Sequence, residues 1–142
     1  MQQVRIVQDK QEREKAFAIR IAVFVNEQGV PLQDELDSHE DEAEHVLAYD
    51  DNDTPVGAGR WRVVDGAAKL ERICLLPAYR KSGLGRLLVG AMEASARAQS
   101  LPKALLHGQV QAAPFYEKLG YQRVSEPFNE DGILHVIMTK EL

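Results

Sequence analysis

Apolar positions along this chain switch between two periods. Val4 to Val7 is a short β-branched run and reads as a first strand. Asp9 stands where an N-cap would. Phe17, Ile21, Phe24 and Val25 then fall at i, i+4, i+7 and i+8, which predicts a helix that fades at Glu27 to Gly29, before Pro31. His45 to Tyr49 alternates weakly as a strand, and Asp50-Asp51-Asn52-Asp53 is a turn. Pro55 to Val64 forms a further strand, Asp65-Gly66 a hairpin turn, and Ala67 to Leu76 the strand pairing back antiparallel. After Pro77 the period is helical again, at Leu84, Leu87, Leu88, Ala91, Ala94 and Ala98, ending at Ser100-Leu101-Pro102. Ala104 to Gln109 reads as a strand, and Pro114 opens a short helix through Phe115 to Leu119 that Gly120 stops. Tyr121 to Val124 is extended, Asn129 to Gly132 turns, and Ile133 to Met138 closes the pattern as a strand.

Strands dominate the first half, whereas strand and helix alternate in the second. The expected class is therefore α/β (α+β) with a mixed sheet: antiparallel early, then a parallel βαβ crossover around the glycine-bearing turn Arg80 to Gly85. With no repeat, low-complexity tract or linker, residues 1–142 read as one domain. The charged fraction of 27% and hydrophobic fraction of 44% are those of an ordinary globular protein. A net charge of −5 argues against nucleic acid as a partner, because phosphate binding needs clustered Lys and Arg. No apolar run suits a membrane partner, and the N-terminus lacks a secretory pattern. The single cysteine, Cys74, fits a cytoplasmic location.

Chemistry concentrates between Lys69 and Leu88. An apolar strand breaks at Pro77, and Arg80-Lys81-Ser82-Gly83-Leu84-Gly85 precedes a helix. Strand, glycine-bearing basic turn and helix is a layout that grips phosphate, since glycine admits close approach and helix N-termini present free N–H groups. It is not a Walker A loop, for no Lys-Ser/Thr pair follows the glycines. Nor is it a dinucleotide fingerprint, because Leu88 replaces the third glycine. Upstream, seven carboxylates crowd into residues 34–44: Asp34, Glu35, Asp37, Glu40, Asp41, Glu42 and Glu44. Such a run reads as a solvated surface loop or, more sharply, as a rim that draws in a cationic amine.

Arg80, Gly83 and Gly85 match the Arg/Gln-x-x-Gly-x-Gly/Ala motif of the GNAT N-acetyltransferases. A second block, Gln111-Ala112-Ala113-Pro114-Phe115-Tyr116-Glu117-Lys118-Leu119-Gly120-Tyr121, resembles that family's A-x-x-F-Y-x-K-x-G-F helix. The two blocks are separated, as in the family, by one helix and one strand. The chain thus resembles a small bacterial GNAT protein over nearly its whole length. That resemblance implies a GNAT fold of six to seven strands flanked by about four helices. It also implies acetyl-CoA as cosubstrate, a small-molecule or peptide primary amine as acceptor, and, by family habit, a homodimer. The backbone of Lys81, Ser82, Gly83, Leu84, Gly85 and Arg86 would hold the pyrophosphate, with Arg80 adding charge. Cys74, Leu75 and Leu76 would pair with the pantetheine arm, with Gln109, Ala112 and Phe115 lining the site beside Tyr116.

Acetyl transfer to an amine requires a proton taken from an ammonium and one given to a thiolate. Tyr116 matches the family's tyrosine near the sulfur and is the expected general acid. Glu71 is a candidate base, or else a structural partner of Arg60, Arg62 or Arg72. His107 shares a strand face with Gln109 and could take a proton, or be a structural histidine. Cys74, between Ile73 and Leu75, reads as a buried inert thiol rather than a nucleophile. No metal is expected, as His39 and His45 lack ligand spacing. The alternative function is a CoA-binding sensor or interaction module without turnover. Transfer of a longer acyl chain is also open.

Overall fold

A computed structural model describes residues 3–142. Eight strands form one sheet: β1 (Val4–Ile6), β2 (Glu44–Tyr49), β3 (Pro55–Val64), β4 (Ala67–Leu75), β5 (Lys103–Gln109), β6 (Gln122–Arg123), β7 (Phe128–Glu130) and β8 (Ile133–Glu141). Their order is β1-β2-β3-β4-β5-β8-β6, with β7 also on β8. The count exceeds six to seven because the short β6 and β7 share one edge of β8, against Met138–Thr139 and Ile133–His135 respectively. Among the described residues the one parallel pair is β4 with β5, and α3 (Leu84–Ala98) makes the crossover.

Helix α1 (Lys10–Arg20) starts where its cap predicts, with the Asp9 carboxylate accepting from the Glu12 N–H at 2.8 Å. It runs on as a π-helical turn over Ile21–Glu27, followed by the short α2 (Leu32–Glu35). The buried face of this segment is Ala16, Ile19, Arg20 and Val23, not the Phe17–Ile21–Phe24–Val25 stripe. The face is displaced because a charged residue, Arg20, points inward, which apolar counting registers as solvent-facing. In α3 the buried residues are Leu84, Leu88, Val89, Met92, Glu93 and Ala96, while Ala94 and Ala98 stay exposed. Glu93 is admitted to that face by the Tyr121 hydroxyl at 2.8 Å and the Lys140 ammonium at 3.1 Å.

Two apolar clusters sit on opposite faces of the sheet. Val46, Ala48, Leu70 and Leu106 pack with Leu88 and Met92 of α3 on one side, and Leu47, Tyr49, Ala58 and Cys74 pack with α1 on the other. Burial on both faces explains the weak alternation in β2. Each fully buried leucine contributes roughly 1.5–3 kcal/mol. On the α3 side, α4 (Ala113–Lys118) carries Tyr116 into the core, with Pro114 in its first turn.

Candidate active site

The site grows out of an irregularity in β4. Arg72 adopts φ 59°, a left-handed conformation costly for a residue with a side chain. The β3–β4 register slips there, from Arg60↔Glu71 to Ala58↔Cys74. This bulge bends β4 away from β5, and their pairing stops at Leu70↔Leu106. Beyond that point the two parallel strands separate and leave a slot. The Leu76 N–H donates to Val56 O at 2.9 Å, toward β3. By alternation the Leu75 N–H and C=O face the slot, whereas those of Cys74 and Leu76 face β3.

At the top of the slot a 3-10 turn, Pro77–Tyr79, leads to the glycine turn. Lys81 (φ 66°) and Gly83 (φ 88°) are both left-handed. They curl the backbone so that α3 begins at Leu84 with Gly83 as an N-cap that has no side chain to cover the first-turn N–H groups. Fifteen residues of helix stand behind that end and add the favourable dipole. Phe115 leans on it: a Cβ at Gly85 would come within 3.2 Å of the Phe115 ring. Ser82 is held by the Tyr79 carbonyl. The Arg80 guanidinium is engaged elsewhere. It grips the Glu27 carboxylate at 2.6 and 2.7 Å and donates to Leu75 O at 3.1 Å, so part of its charge is spent on the π-helical turn.

Below the slot lies a cleft of about 290 Å³ whose walls include Tyr116, His107, Gln109, Glu130 and His135. Burial pushes the Tyr116 phenol well above its ordinary pKa, so it remains a proton donor at any physiological pH. Its ring is fixed edge-on against Phe115 and Tyr121 and closes over Gly108. His107 Nδ1 is 2.9 Å from Glu130 Oε1, and this contact is the leading cause that lowers the Glu130 pKa. Gln109 reaches across to Gln28 at 3.0 Å, which ties β5 to the end of the π-helical turn.

Glu71 also borders the cleft, but its oxygens are taken. Arg62 Nε lies at 2.9 Å, Arg60 Nη2 at 3.0 Å and Lys69 Nζ at 3.1 Å. Burial would raise its pKa; the pairing with Arg62, Arg60 and Lys69 outweighs burial and holds it at about 2. A carboxylate so stabilised is a weak base, and the structural alternative describes its surroundings. The acidic segment is likewise no solvated loop. Glu35 and Glu40 are 2% and 9% exposed. Arg20 binds Glu35 at 2.9 Å and Glu40 at 2.7 Å, while Arg60 holds Asp37 through two bonds of 2.8 Å. Buried cations fold the middle of the segment inward; of its seven carboxylates only Asp34, Asp41 and Glu42 are exposed.

Residues 7–142 match the family model described as Acetyltransferase (GNAT) domain. The chain belongs to the GNAT acetyltransferases. It is similar to a Bacillus subtilis (strain 168) protein provisionally named an acetyltransferase, with 50% identity over 141 residues, 97% of this chain and 95% of the relative. A crystal structure of a Lactobacillus plantarum protein, provisionally named an N-acetyltransferase, superposes with a TM-score of 0.89 at 34% identity and covers 99% of both chains. The fold is shared at 15% identity and a TM-score of 0.77 with an aminoglycoside 6'-N-acetyltransferase solved with coenzyme A, over 97% of this chain and 96% of that one. Membership carries the enzyme class, an acyl-CoA-dependent N-acetyltransferase.

In this GNAT enzyme Cys74 is 7% exposed, and burial pushes its thiol up to about 12, which removes it as a nucleophile. No helix among the described residues is long and apolar enough to cross a membrane. Sequence reasoning missed Glu27, Gln28, Glu130 and His135. The last is Cα-paired with Gln109 across β5 and β8, so a predicted pairing of those two strands could have found it. Glu130 sits 23 residues from its partner His107, on a strand too short to register as a period.

Proposed function

We propose that this enzyme moves an acetyl group from acetyl-CoA to a primary amine by direct attack within a ternary complex. The observation that carries this is the separation of β4 from β5 beyond Leu70↔Leu106, with the capless start of α3 at the end of β4 and Tyr116 and His107 in the cleft beside it. Backbone N–H groups from Lys81 to Arg86, those of the turn and of the first turn of α3, hold the pyrophosphate, and the Leu75 backbone pairs with the pantetheine arm as an added strand would. Ala112 lines the cleft, Phe115 packs beside Gly85 at the head of α3, and Gln109 keeps Gln28 against the cleft wall. The coenzyme A bound by the aminoglycoside acetyltransferase of like fold supports that placement.

In the chemistry, the acceptor nitrogen sheds two protons as it forms the C–N bond and the C–S bond breaks. One replaces the proton that Tyr116 gives to the departing thiolate. The other leaves through His107, whose Nδ1–H is fixed on Glu130 and whose Nε2 is then the accepting atom. Glu71 serves as the anchor of Arg60, Arg62 and Lys69 and not as the base. Titration calorimetry with acetyl-CoA, followed by a thiol-release screen of amines, tests the assignment. Micromolar binding with turnover of at least one amine is expected; no binding at millimolar acetyl-CoA would sink it.

A further inference from the structure

With His135 neutral, two hydrogen-bond acceptors face each other in the cleft. His135 is 8% exposed and its Nδ1 lies 2.7 Å from Ile133 O. A carbonyl can only accept, so Nδ1 carries the hydrogen and Nε2 of the neutral ring is an acceptor. That Nε2 points at Glu130 Oε2 from 3.8 Å, too far for a hydrogen bond and the wrong pairing for one. Glu130 has its other oxygen on His107. The Phe128 ring stacks on His135 at 6.1 Å and meets His107 edge-on at 5.3 Å, which holds the three polar groups in place. What the gap lacks is a group with several N–H bonds and a positive charge.

The cations nearby do not supply it. Lys69 is at 3.1 Å from Glu71, and Arg72 is at 3.2 Å from Glu35 and 3.3 Å from Asp37. Each is engaged with another carboxylate, so among the described residues Glu130 has only histidines within ion-pair distance, with Lys69 acting on it from farther off, and Asp131 on the adjoining turn adds negative charge. We infer that the gap between Glu130 and His135 is the acceptor subsite, and that it takes an aliphatic primary ammonium with no carboxylate beside the nitrogen. Two of the three N–H bonds are received by Glu130 Oε2 and His135 Nε2. A neighbouring carboxylate would meet Glu130 and Asp131, while the Lys69 and Arg72 of the same cleft are already engaged with Glu71, Glu35 and Asp37. This rests on the acetyl-transfer reading of the same cleft.

The probes are 1-aminopentane and norleucine, the same chain without and with the carboxylate. By thiol release, 1-aminopentane is expected to exceed norleucine at least about tenfold in kcat/KM, the discrimination an unpaired charge imposes. Glu130→Gln and His135→Asn are expected to raise its KM about tenfold or more, with the acetyl-CoA Kd unchanged. Asn at 135 can retain the donor to Ile133 O while it removes Nε2. Equal use of the two probes, or an unchanged KM in both variants, would mean a water-filled gap and overturn the subsite. Should wild type fail to bind acetyl-CoA, the transfer reading falls by itself, and the imidazole ¹⁵N resonances still decide the subsite. A shift of His135 Nε2 on adding 1-aminopentane, lost in Glu130→Gln, upholds it; no shift overturns it.

Discussion

Replacing Arg60 by Met tests whether the inward-folded acidic segment is held by charge. Arg60 is fully buried and touches three carboxylates: Asp37 at 2.8 Å, Glu40 at 2.9 Å and Glu71 at 3.0 Å. Methionine fills much of the volume and removes the guanidinium. Breaking a buried pair from one side costs about 3–5 kcal/mol. Each carboxylate here keeps at least one other cation, Arg72 for Asp37, Arg20 for Glu40, and Arg62 and Lys69 for Glu71, which places the loss at the lower end, about 3 kcal/mol. For a domain of this size that is a fall in Tm of about 10 °C, read by circular dichroism at pH 7. The acid dependence supplies a second readout. The Arg60 hydrogen bond, first among the causes, lowers the Asp37 pKa, and Glu40 and Glu71 are both held at about 2, pairing outweighing burial. Groups with depressed folded pKa stabilise above their unfolded values, and that contribution disappears as pH falls through the folded ones. The gap between wild type and variant should therefore be widest near pH 7 and close between about pH 4.5 and pH 2. A Tm loss under about 3 °C, or one that does not change with pH, would refute the charge argument and leave only packing.

Tyr116→Phe should lower kcat about 100-fold and leave acetyl-CoA affinity within about twofold; equal losses in both would reassign the residue to binding. Gly83→Asp sets a carboxylate about 5 Å from the pyrophosphate position, worth about 3 kcal/mol at an effective dielectric of 20, or roughly 100-fold in affinity. Gly83→Ala is its control, because a Cβ there meets nothing within 4 Å and only the φ of 88° is strained; calorimetry showing both variants equally impaired would contradict the phosphate assignment. Cys74→Ala should keep full turnover, and native protein at pH 7.5 should resist iodoacetamide. Fast labelling would mean that the thiol is neither buried nor protonated as described.

The sequence by itself determined the element order almost throughout. The Asp9 cap, the Asp65-Gly66 hairpin, Pro55–Val64 and the helix after Gly83 follow from period and turn chemistry within a few residues of each other. The two motif blocks likewise located the start of α3 and Tyr116, because both are local in sequence. Tertiary structure decided what depends on distant partners. Whether the carboxylates of residues 34–44 meet water or Arg20 and Arg60 is invisible to composition, since a buried ion pair and a solvated one use the same residue types. Glu71 lost its candidacy as a base for the same reason: its basicity is set by Arg60 and Arg62 on the neighbouring strand, not by its own place on β4. His107 gained a partner only when β7, paired through β8, brought Glu130 to it from 23 residues away. Local propensity names the elements, but the pKa and availability of a side chain belong to the three-dimensional neighbours that the sheet's pairing supplies.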